Sequence, residues 1–150
     1  MSDRIFHFSI SVRNILLGLR DALITAPEEL VIRDADDQLI ERCETLVREF
    51  PWHIRFGFIF GIYLFDRLSW LFGFGFKRSV NMETEQRKRY AQKWLSSPKP
   101  LWRDIITGLR GIIMISYFSH KDVWKYIGYD PKSHVKERTE IRQSLLKSNS

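Results

Sequence analysis

Between Phe56 and Phe76 the chain reads FGFIFGIYLFDRLSWLFGFGF, 21 residues whose only charges are Asp66 and Arg67. No other feature limits the possible folds as tightly. A run this apolar is just long enough to cross a hydrocarbon core, but an Asp and an Arg at its centre would be costly there unless shielded. Helical spacing puts Arg55 and Asp66 on nearly the same face, so the run is expected to form one helix with a side turned to water or to a partner. A helix buried in protein is preferred, a helix lying in a membrane surface comes next, and a spanning helix last. The Gly57–Gly61 spacing permits close helix contact, although such a pair alone carries little weight. Nine of the 21 aromatic residues fall in this run, and Phe58, Phe65, Trp70, Phe72, Phe74 and Phe76 are expected to contact membrane or partner.

The rest of the chain also follows helical periodicity. Val12, Ile15, Leu16, Leu19 and Leu23 define a helix over about 10–24, which Pro27 ends or restarts. Leu39, Ile40, Cys43, Leu46, Val47 and Phe50 form the clearest amphipathic stripe, with Asp34, Asp36 and Asp37 where a helix N-terminus favours negative charge, and Pro51 ends it. A further helix opens near Asn81, carries Glu83 and Glu85 in its first turn, sets Tyr90 and Trp94 one turn apart, and breaks at Pro98 and Pro100. From Leu101 the pattern Trp102, Ile105, Ile106, Leu109, Ile112, Ile113 predicts a helix to about Phe118. In YFSHKDVWKYIGYDP, Ser119 and Asp122 have capping-box spacing, Trp124 and Ile127 share a face, and Gly128 is placed for a left-handed cap before Pro131.

No hairpin signal occurs, and alternation is confined to a brief IFHFSISV. The expectation is therefore all-α: a compact bundle of about five to six helices over residues 1–131, long enough for a single core. Residues 132–150 are expected to form a basic tail, partly ordered or ordered on a partner, with Ile141, Leu145 and Leu146 as its anchors.

Catalytic signatures are missing from the pattern. His7, His53, His120 and His134 have no metal-ligand spacing, and there is no glycine-rich phosphate loop, nucleophile elbow or HExxH motif. A flavin or nicotinamide site needs a strand–turn–helix unit that this pattern does not supply. The lone cysteine, Cys43, excludes an internal disulfide and sits on an apolar stripe, so it reads as a core residue in a reducing compartment. Asp66 and Arg67 read as a structural pair. No catalytic, cofactor-binding or metal-binding residue is expected, and the chain is not expected to be an enzyme on its own.

The net charge of +6 is unevenly spread: Pro27–Glu49 holds eight acids and three bases, Lys77–Arg103 eight bases and two acids. Such asymmetry suits contact with phosphate or anionic lipid, but solvated helix faces are the simpler reading. Tyr90, Trp94 and Trp102 lie at core spacing rather than on a stacking platform, which disfavours nucleic-acid binding. The N-terminal stretch lacks an apolar signal core, a cleavage site and a twin-arginine pair. The expected location is cytoplasmic, with peripheral attachment to the inner membrane face as the alternative.

The order of an acidic amphipathic helix, an aromatic segment, RKRYAQKW, LWRDIITGLRGI and YFSHKDVWKYIGYDP resembles the small-subunit or N-terminal helical region that accompanies glucose-methanol-choline (GMC) flavin oxidoreductases. It is most similar to that region of long-chain fatty alcohol oxidases and to bacterial small subunits grouped with gluconate dehydrogenase subunit three. The matching residues are Arg89, Tyr90, Trp94, Arg103, Tyr117, Phe118, Trp124, Ile127, Gly128, Tyr129 and Pro131. They span about Asp36 to Pro131, and the last third is the specific part. The resemblance implies a non-catalytic partner of a large flavoprotein subunit, with FAD and the catalytic histidine in that subunit and none of either here. On this reading Arg89, Trp94, Arg103, Tyr117, Phe118, Trp124, Ile127, Gly128 and Tyr129 are the partner-binding residues. The missing twin-arginine pair departs from the exported members of the group.

Overall fold

Prolines and glycines punctuate the chain much as their spacing predicts. The computed structural model describes residues 6–25 and 35–148. Its helices are α1 (Ile10–Leu23), α2 (Ala35–Arg48), α3 (Trp52–Arg67), α4 (Thr84–Leu95), α5 (Pro100–Phe118), α6 (Lys121–Tyr126) and α7 (Pro131–Ser148). No strand occurs among the described residues, so the fold is all-α, with seven α-helices rather than five to six. Pro27 and Asp34 lie outside the described residues.

Helices α1, α2 and α5 bury the stripes their sequences mark out. Ser9 caps α1 by accepting from the Val12 amide, and Val12, Ile15, Leu16 and Leu19 turn inward. Asp36 and Asp37 occupy the first turn of α2, which buries Leu39, Ile40, Cys43 and Val47. Pro100 opens α5, where its missing N–H costs nothing. This longest helix packs against α1, α2, α3, α4 and α6, while α1 lies most extensively along α4.

Aromatic rings fill the centre of the bundle. Phe65, Tyr90 and Trp94 are fully buried. Phe65 lies 4.7 Å from Tyr90 and 5.6 Å from Trp94 between ring centroids, and Phe72 stacks on Trp94 at 5.1 Å. Trp102 meets Trp94 edge-on at 5.3 Å. These tilted and edge-on geometries suit the ring quadrupoles. Phe58 and Phe65, expected at a membrane or partner surface, are instead core residues, because the first part of the apolar run lies in α3, whose inner face carries them.

The run from Phe56 to Phe76 is not one helix. After Arg67 the chain tightens into a 3-10 turn at Leu68–Phe72 and then doubles back through Gly73 and Gly75, at φ 82° and 70°. Both glycines sit where a side chain would be strained. The break follows from Asp66, whose fully buried carboxylate accepts from Arg78 Nε at 2.7 Å, Ser79 Oγ at 2.8 Å and the Val80 amide at 3.2 Å. Satisfying it requires the chain to return to it within 14 residues. Asp66 therefore does not share a wet side with Arg55, which donates to the Arg48 and Phe50 carbonyls at the end of α2.

Arg87 completes the seam from the other side. Almost wholly buried, it donates to the carbonyls of Ser79 and Met82 at 2.8 Å and reaches the Gly18 carbonyl at 3.5 Å. A Cβ at Gly18 would stand 3.1 Å from the guanidinium carbon, so glycine there admits the arginine between α1 and α4.

The segment expected as a basic tail is α7, and residues 132–147 are all exposed along it.

Asp66→Ala leaves Arg78, Ser79 and the Val80 amide without their acceptor. The variant is expected to lose about 2–4 kcal/mol in urea unfolding, with Asp66→Asn losing less because it keeps one carbonyl acceptor.

Candidate functional site

The most organised exposed surface is the turn that joins α5 to α6 and α7. Ser119 ends α5 rather than opening a capping box: its amide and hydroxyl both bond the Ile115 carbonyl. The cap of α6 is His120, whose Nδ1 accepts from the Asp122 amide at 3.1 Å. Imidazole replaces the expected serine because Ser119 is already committed to the preceding helix. Gly128 adopts φ 69° and the Tyr129 amide returns to the Trp124 carbonyl at 2.8 Å, the left-handed cap that the sequence predicts.

This frame holds the side chains in place. Val123 is the buried anchor beneath the turn. Trp124 is partly buried, donates its indole N–H to the Phe118 carbonyl and meets Tyr129 edge-on at 6.0 Å. Phe118, Ile127 and Tyr129 are each about half exposed, and Ile115 extends the apolar patch down α5. Tyr117 points inward; burial pushes its phenol pKa up, with Arg20 opposing that shift.

The structure thus brings Phe118, Trp124, Ile127, Gly128 and Tyr129 together, with Tyr117 beneath them. It does not bring the other expected partner-binding residues to this patch. Trp94 is fully buried in the aromatic core and cannot present a surface. Arg103 begins α5, about 22 Å from Phe118 along the helix, and donates to the Ser97 carbonyl at the α4–α5 turn. Arg89 is exposed on α4.

A second apolar surface lies on α3. Trp52, Phe56 and Phe60 are exposed in successive turns, with Phe56 and Phe60 stacked at 6.1 Å. The i, i+4, i+8 spacing of these three is the sequence signal that marks this face. Among the residues expected to face membrane or partner, Trp70 and Phe76 are exposed and stack at 6.2 Å. Phe72 and Phe74 are half-buried against Tyr90, Phe72 also against Trp94.

The basic block is mostly engaged within the fold. Arg78 binds Asp66, Arg87 binds loop carbonyls, Lys88 pairs with Glu85, Lys93 bonds the Phe72 carbonyl and Arg103 that of Ser97. Lys77, Arg89 and Lys99 are exposed.

Two titratable groups are fixed by their surroundings. Burial pushes the Cys43 thiol up to about 11, with its bond to Ser116 opposing the shift. Burial also raises Glu44, but bonds from the Phe8 amide, His7 and Arg13 outweigh it and hold the carboxyl below its ordinary value. No cluster of three or more His, Cys, Asp or Glu side chains that could hold a metal occurs among the described residues. No helix among them is long and apolar enough to cross a membrane.

Cys43 in the native protein is expected to react with a thiol reagent at pH 8 at least about a hundredfold slower than in urea. Glu44, with its folded pKa depressed, stabilises the fold fully above its ordinary value of 4.5, and that stabilisation is lost as pH falls through the lower folded value. A Glu44→Gln variant is expected to show a shallower decline in urea midpoint across that acidic window.

Compared with known protein families, with curated proteins and with solved structures, the chain matches none of them.

Proposed function

We propose that this chain is a non-catalytic accessory subunit of a GMC-type FAD-dependent alcohol dehydrogenase or oxidase, docking on the large flavoprotein through the α5–α6–α7 turn. The observation that carries the reading is the rigid, half-exposed aromatic patch of Phe118, Ile127 and Tyr129. Large rings with few rotamers, held by a tryptophan–carbonyl bond and a glycine cap, lose little entropy on docking and bury much area. The same residues carry the sequence resemblance, and the partner named by that resemblance supplies FAD and the catalytic histidine. The accessory chain stabilises the flavoprotein and shapes its substrate entrance or its membrane association.

A second reading, peripheral membrane binding, is favoured by one further observation. Trp52, Phe56, Phe60, Trp70 and Phe76 are exposed on or just beyond α3, with Arg67 and Lys77 exposed as well. Amphipathic rings beside cations suit the interface of an anionic bilayer. Sedimentation with anionic vesicles that falls steeply with salt would support it.

Affinity purification from native cells is expected to bring down a large flavoprotein with a flavin absorption spectrum. Phe118→Ala combined with Tyr129→Ala is expected to weaken that association at least about tenfold while the helical circular dichroism is retained. A colourless preparation recovered only with membranes would reject the flavoprotein reading in favour of the lipid one.

A further inference from the structure

Helices α3 and α5 pack together without closing. Between them lies a groove of about 400 Å³, lined from Ile54 to Gly61 on α3 and from Asp104 to Ile112 on α5. Seven or eight helical steps of about 1.5 Å make it about 10–12 Å long, and its volume falls within the roughly 300–1,000 Å³ of small-molecule pockets. Ile54, Phe58, Ile105 and Leu109 give it apolar walls.

Two glycines keep it open. A Cβ at Gly57 or at Gly108 would meet nothing within 4 Å, whereas one at Gly61 would stand 3.1 Å from Ile105. Gly61 therefore serves the contact between the helices. Gly57 and Gly108 do not, although a glycine inside a helix is destabilising relative to alanine. Their effect is to leave space along the groove.

The one charged residue of the lining is Asp104, at one end. It is exposed, and among the described residues no hydrogen bond or ion pair is formed by its carboxylate. An apolar trough with a single unneutralised carboxylate at its end selects for an elongated apolar body with a positive, hydrogen-bond-donating head. It selects against the same body with an anionic head, which would place like charges together.

We propose that this groove binds a single-chain amphiphile with a cationic head, its alkyl chain lying between α3 and α5 and its head on Asp104. The site lies apart from the α5–α6–α7 turn and goes beyond the accessory-subunit reading. Binding is measurable on the isolated chain, so either idea can fail without the other.

The test is isothermal titration of the full chain with decylammonium and with decanoate, both below their micelle concentrations. Saturable binding of decylammonium is expected, with decanoate at least about tenfold weaker. In Asp104→Asn the preference should fall below about threefold while chain binding persists. A Cβ at Gly108 or at Gly57 meets nothing within 4 Å, so Gly108→Leu and Gly57→Leu each direct a side chain into the groove. Each should abolish binding with an unchanged circular dichroism spectrum and an equal or higher melting temperature. Two independent positions keep the test valid if one variant misfolds. No saturable binding, equal affinity for the two heads, or undiminished binding in a folded leucine variant would overturn the proposal.

Discussion

The fold depends on a buried carboxylate. Asp66 lies in the last turn of the apolar helix α3 with no exposure at all, a position that is prohibitive for a charge unless its oxygens are bonded. Arg78, Ser79 and Val80 supply those bonds, so the chain must leave α3 at once and return within 14 residues. Arg87 then grips the carbonyls of the returning segment and touches α1 at Gly18. Acid and base hold the same loop from opposite sides, and through it α1, α3 and α4 are tied to one another. Ser69 adds a clasp to the Gly75 and Lys77 carbonyls. Phe72 and Phe74 reach Tyr90 only because the loop is folded back in this way.

That arrangement divides the aromatic residues into two populations. Phe65, Tyr90 and Trp94 fill the core, and the Tyr90 hydroxyl is satisfied by the Phe65 carbonyl at 2.7 Å. Trp52, Phe56, Phe60, Trp70 and Phe76 remain outside, as do Phe118 and Tyr129 at the far end of α5. Exposed rings in such number exceed what scattered surface residues account for, and they occur on two separate surfaces. The α5–α6–α7 turn is the better organised of the two, since its frame is closed by backbone bonds rather than by the helix alone.

Charge is divided by the same logic. The run of bases from Lys77 to Arg103 suggests a polyanion surface when read as a string, but five of its eight members bond to other groups of the chain, Arg87 deep within it. What remains for electrostatic contact is a few exposed side chains. Asp104 shows the converse. It is one acid among eighteen in the sequence, and it stands out only because the surrounding groove contributes no other charge.

Much of this was legible in sequence. Period 3.6 in Val12–Leu23, Leu39–Phe50 and Trp102–Ile113 determined α1, α2 and α5, since an apolar stripe at that spacing can be buried only as a helix. Gly128 ahead of Asp130-Pro131 determined the cap at the aromatic turn, because only glycine takes that conformation without strain. The tertiary structure alone decided the fate of Asp66, the burial of Phe58 and Phe65, the helical course of α7 and the open groove beside Gly57 and Gly108. Those depend on which distant groups arrive at a given face: Arg78 and Ser79 for Asp66, α4 for Phe65, and α5 for the groove. Local periodicity records that a helix has an inner side, but the partners that meet that side are set by packing.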